Sequence, residues 1–132
     1  MKKLIAILTV LISGCAITNK YPDIDFLTLK KDFDSGRATL YQAREFRDRL
    51  DKLFYNEDEI VERTFREQYN LAVLDYPEAR ANVNYNYHRQ ANDYTVTDWA
   101  YIVAALQTYL VLDMKFHDKG CEKPIFGIEG KM

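Results

Sequence analysis

The stretch from Asp98 to His117 constrains the fold more than any other part of this 132-residue chain. Its apolar residues recur at helical spacing. Trp99, Ile102, Val103, Leu106 and Leu110 share one side with Asp113, while Tyr109, Leu112 and Phe116 widen the arc. So broad an apolar surface predicts a central, well-buried helix with other elements packed around it. Thr97 reads as its N-cap, with Val96 placed to staple against Tyr101, and Gly120 as its C-terminal stop.

Upstream, two narrower stripes predict two more helices. Thr39-Leu40-Tyr41-Gln42 has the spacing of a capping box, in which the residue-42 amide reaches back to the cap. Ala43, Phe46, Leu50, Leu53 and Phe54 then follow at steps of three and four, with Arg44, Arg47, Asp48, Arg49, Asp51 and Lys52 on the other face. A second cap is expected at Asn56, three residues before Glu59. Val61, Phe65, Tyr69, Ala72 and Tyr76 continue the stripe, and Glu57, Asp58 and Glu59 favour the helix dipole at its start. Pro77 is expected to end that helix, because the residue before proline is pushed out of the helical region.

Two segments read less simply. Phe26 to Leu29 suits a short helix or an extended run, and Asp34-Ser35-Gly36 marks a turn after it. Between 82 and 94, Val83, Tyr87, Ala91 and Tyr94 fit one helical face, whereas Asn82 to His88 alternates as a strand does. The helix is the preferred reading, since the neighbours are helical and no partner strand is evident. Residues 121–132, with Pro124, Phe126 and Gly127, read as an extended tail. No repeat period is present, so a tetratricopeptide array is not indicated.

The amino terminus carries a different kind of signal. Lys2 and Lys3 precede an apolar run from Leu4 to Ile12, broken only by Thr9, and Ile12-Ser13-Gly14-Cys15 closes it. This is the layout of an export signal, with an apolar core far shorter than the roughly 20 residues that span a bilayer. Over Met1 to Ala16 the chain resembles a bacterial lipoprotein, whose lipobox is an aliphatic residue, two small residues and a cysteine. The resemblance implies cleavage before Cys15 and acylation of its thiol and new amine by chains such as palmitate. It also implies the outer membrane, because Ala16 follows the cysteine where an aspartate tends to retain lipoproteins at the inner membrane. The organisation expected is therefore a signal over 1–14, a lipidated tether over 15–26 and a helical domain over 27–132. The fold class is all-α, a small bundle of about four helices.

With the signal and its two lysines gone, 118 residues remain, enough for one domain, with 16 basic and 20 acidic side chains and a net charge of −4. That balance argues against nucleic acid as a partner and against polybasic attachment to anionic lipid. Anchoring would fall to the acylated Cys15, since two or three chains hold where one is marginal. The chain has two cysteines, so lipid on Cys15 leaves Cys121 without an internal partner, and a buried thiol is the expectation.

Catalytic signatures are weak. Asp113, His117 and Cys121 stand four apart, but Gly120 breaks the helix among them, so neither a metal nor another cofactor is expected. His88 has no evident orienting group. Asp23 with Asp25, and the run from Glu57 to Glu59, are accounted for as tether solubility and helix capping. The suggestive feature is the aromatic and amide segment carrying Tyr85, Tyr87, His88, Arg89 and Tyr94, residue types that dominate binding hot spots. The expected function is a membrane-anchored, non-catalytic binding or assembly factor that engages an envelope protein through those five residues. The alternatives are an exclusion or immunity lipoprotein that blocks an incoming factor, and an envelope enzyme with an acidic site.

Overall fold

Every residue from Ile102 to Tyr109 is buried, and the rest of the domain is arranged around this one helical stretch. The structure is a computed structural model that describes residues 21–82 and 85–116, with backbone alone at 85–88. A 3-10 turn at Pro22–Ile24 leads into five helices. They are α1 (Phe26–Asp34), α2 (Leu40–Leu53), α3 (Asp58–Ala81), α4 (Tyr85–Asp93) and α5 (Val96–Phe116). No strand occurs among the described residues. The domain is a small all-helical bundle.

The central helix is α5, which touches all four others and packs most extensively on α3. Ala72 and Ala79 of α3 and Ala100 and Ala105 of α5 sit in the common core, and side chains this small let helix axes come close. Ring contacts set the remaining directions. Phe26 stacks on Tyr109 at 4.7 Å, whereas Phe33, further along α1, lies 6.4 Å from Trp99. So α1 runs against α5. Phe46 approaches Tyr109 at 6.1 Å and Phe54 approaches Phe116 at the same distance, so α2 runs along it. Tyr21, the first described residue, is already packed: its ring meets Tyr109 edge-on at 6.1 Å. Ile24 and Phe26, expected in the tether, are core residues.

Helix ends follow local chemistry. The capping box at Thr39 forms as expected: the Gln42 N–H donates to Thr39 Oγ1 at 3.1 Å and the Thr39 N–H to Gln42 Oε1 at 3.0 Å. A cap of this kind stabilises by about 1 kcal/mol. The Gln42 amide also donates to Asp32 at 2.8 Å, tying α2 to α1. Gly36 ends α1 at φ +75°, where the Arg37 N–H reaches the Asp32 carbonyl at 2.7 Å and the Gly36 N–H reaches Phe33 at 3.0 Å. Glycine takes that left-handed position without a Cβ penalty.

Three boundaries differ from expectation. The cap of α3 is Glu57 rather than Asn56, and its side chain makes no cap bond. At α5 the cap is Thr95, whose Oγ1 accepts from the Asp98 N–H at 3.1 Å. The helix therefore starts at Val96, and Tyr101 packs on Phe65 at 4.8 Å instead of under a staple. The third is Pro77, which α3 passes through on its way to Ala81. Pro77 is exposed, while Ala72, Asp75 and Ala79 around it are buried. Tertiary packing on both sides of the proline outweighs its local cost. The segment after it is helical, as α4. Gly120 and the tail over 121–132 lie outside the described residues.

Candidate functional site

Of the five residues expected to meet a partner, all but Tyr94 lie within α4. The side chains of Tyr85, Tyr87 and His88 fall outside the described residues. Arg89 is exposed, as are Asn92 and Asp93 beyond it. Tyr94, just past the helix, turns inward: its ring stacks on Phe33 at 5.8 Å. Burial chiefly pushes its hydroxyl up to about 12, against a lowering by the Ala38 backbone beside it. The Tyr94 carbonyl accepts a hydrogen bond. Tyr76 Oη lies 3.0 Å from it and 2.9 Å from the Ala91 carbonyl, so one phenol proton serves two acceptors at the end of α4. The other inward residue of α4 is Gln90, fully buried, whose amide nitrogen lies 3.5 Å from Asp34 Oδ1.

A second feature is a groove of about 130 Å³ between the first turn, α1 and α2. Ile24, Leu29 and Phe46 form its floor, and Asp25, Thr28, Gln42, Glu45 and Arg49 its polar walls. Asp25 holds a left-handed φ of 53° as the N-cap of α1, without a side-chain cap bond. Aspartate is one of the few residue types that tolerate this conformation. The groove admits a few water-sized groups and is well below the size of a typical small-molecule site.

The third is Arg47, expected on the polar face of α2 but only 8% exposed. Its Nη2 donates to Glu62 Oε1 at 2.8 Å, its Nη1 forms an ion pair with Asp51 at 3.0 Å, and its guanidinium lies 5.1 Å from the centre of the Phe65 ring. Glu62 in turn pairs with Arg66 at 3.3 Å. The flank of α2 that seemed free is covered by the start of α3, and the charge is matched where it is covered.

Among the described residues no three His, Cys, Asp or Glu side chains are grouped to hold a metal ion, and no helix is long and apolar enough to cross a membrane. Asp113 is buried on α5, while Cys15, His117 and Cys121 lie outside the described residues. Sequence reasoning missed Gln90 and Arg47 as interior groups and Asp25 as a groove residue, since nothing in their immediate neighbours marks them. What the fold defines is the class, a small helical bundle. No protein family matches the chain, and neither a curated protein nor a solved structure does.

Proposed function

We propose that this chain is a lipid-anchored protein of the bacterial envelope that acts by binding a protein partner, as an assembly factor, and not by catalysis. The observation that carries the reading is the lipobox at Ile12-Ser13-Gly14-Cys15, taken with the short stretch from Cys15 to Tyr21, which packs on Tyr109. Six residue steps reach at most about 20 Å. Once acylated at Cys15, the bundle would therefore work against a membrane surface. Ala16 favours the outer membrane, with the bundle on its periplasmic side.

The partner face is α4. Arg89 is at its surface beside Asn92 and Asp93, and Tyr85, Tyr87 and His88 belong to the same helix. Tyr94 follows that helix directly, and its ring stacks on Phe33. A mature charge of −4 leaves attachment to the acyl chains and keeps nucleic acid out of the reading.

Two experiments test this. Crosslinking in cells followed by capture of the tagged chain should yield an envelope protein. Changing Tyr85, Tyr87 and Arg89 together to alanine should abolish that capture with thermal unfolding unchanged, and retained capture would reject the contact. Cys15→Ala should move the protein out of the membrane fraction and block maturation; a membrane-bound, processed product would reject the anchor.

A further inference from the structure

We propose that the groove between the first turn, α1 and α2 is a receptor for one lysine side chain of a protein partner, its stem lying on Leu29 and Phe46 and its ammonium set between Asp25 and Glu45. None of the groove's lining residues belongs to α4, so this contact is separate from the α4 face.

Size sets the first limit. The groove holds about 130 Å³. At roughly 30 Å³ for each water-sized group, that is room for about four or five such groups. A lysine side chain is four methylenes and an ammonium. Arginine has two more heavy atoms and ends in a rigid planar fork.

The lining sets the second. Ile24, Leu29 and Phe46 form an apolar floor and are almost fully buried. A methylene stem laid on that floor leaves water, while the charge at its tip stays at the rim. The walls carry two carboxylates, Asp25 and Glu45, against one cation, Arg49, which leaves the groove a net charge of −1. Gln42 is already committed, because its amide serves the Thr39 cap and Asp32.

The two carboxylates are held differently. Among the described residues Asp25 is the non-glycine position with a positive φ, and its carboxylate makes no cap bond to α1. The turn therefore places on the groove wall a charge that the helix does not use. Glu45 lies between Tyr41 and Arg49, one turn to either side. The Tyr41 hydroxyl donates to it and is held above its ordinary value by that bond. Arg49 reaches it only at 3.9 Å, with both side chains nearly half exposed. An ion pair so long and wet contributes little, so an incoming ammonium can replace it at small cost. Arg49 is then the group that opposes the ligand.

Chemical-shift titration of the full chain in nonionic detergent micelles tests this, with Nα-acetyl-lysinamide as the probe. Saturable shifts are expected at the amides of Thr28, Leu29 and Phe46. Nα-acetyl-norleucinamide, which has the stem without the ammonium, should bind about threefold more weakly. Asp25→Asn keeps a residue type that tolerates the left-handed turn and should weaken the lysine probe about threefold. Arg49→Gln should tighten it about twofold. Equal binding of the norleucine probe, or unchanged binding in Asp25→Asn, would make the groove a merely apolar slot. Loss of binding in Arg49→Gln, or tighter binding of Nα-acetyl-glutamamide, would make it an anion site. Tighter binding of glycerophosphoethanolamine would assign it to a lipid headgroup. Any of these results, or the absence of saturable shifts, overturns the lysine receptor.

Discussion

Arg47 offers the sharpest test of how this bundle handles charge, because burial there is one-sided. The arginine is 8% exposed, but its partners Asp51 and Glu62 keep 44% and 54% of their side-chain surface in water. Removing the cation therefore strands no buried anion. Arg47→Met keeps most of the stem under α3. It loses two ion pairs worth about 0.5 kcal/mol each in so wet a setting. It also loses a cation–π contact of about 1 kcal/mol. Relief of guanidinium desolvation offsets part of that sum, so the expected cost is about 1 kcal/mol. Arg47→Ala also gives up the buried Cγ and Cδ methylenes at about 0.8 kcal/mol each, for a total of about 2.5 kcal/mol. Glu62→Ala works in the opposite sense. It leaves the buried Nη2–H without its 2.8 Å acceptor, which costs about 2 kcal/mol. Urea unfolding followed by circular dichroism orders the three variants. The expected order of loss is Arg47→Ala, then Glu62→Ala, then Arg47→Met. If Arg47→Met proves more costly than Glu62→Ala, the ion pairs themselves carry the stability and the reasoning fails.

Two further outcomes follow from the interior. Tyr94 has its hydroxyl raised to about 12 in the fold, against an ordinary value of 10, so the fold favours the protonated phenol. That contribution is complete below pH 10 and fades as pH rises from 10 towards 12. Tyr94→Phe should flatten the alkaline limb of stability against pH and remove a high-pH phenol from an ultraviolet titration; an unchanged limb would refute it. Pro77 sits in an exposed turn of α3 and denies the Val73 carbonyl its helical donor. Pro77→Ala should stabilise by about 1 kcal/mol or more, short of the roughly 3 kcal/mol scale for an ideal helix because the site has adapted. A fall in thermal midpoint would mean that the proline's bend is itself needed for α3 to reach α5.

The parts of the fold legible in the sequence are those governed by neighbours three and four residues away. The stripe Ala43, Phe46, Leu50 and Phe54 is buried as the periodicity implies, and so are Trp99, Ile102, Val103 and Leu106. The Thr39 box forms because both its bonds close within four residues. Cap choice at α5 was less legible, since Thr95 and Thr97 each precede a plausible first turn and Thr95 lies three residues before Asp98. The candidate site was legible in type more than in orientation. Arg89 is at the surface, whereas the Tyr94 ring turns inward onto Phe33, from a helix sixty residues earlier. No local pattern encodes that meeting.

By itself the sequence determined that this chain is helical and that one helix would be central. Hydrophobic period and capping are local properties, written into adjacent residues. Only the tertiary structure decided that α3 would run through Pro77, that Arg47 would be covered and paired, and that Gln90 and the Tyr94 ring would turn inward. Each of those outcomes depends on which distant helix arrives at a given face. Packing energy gathered over a whole helix pair outweighs the kcal/mol or so that any single residue's preference contributes.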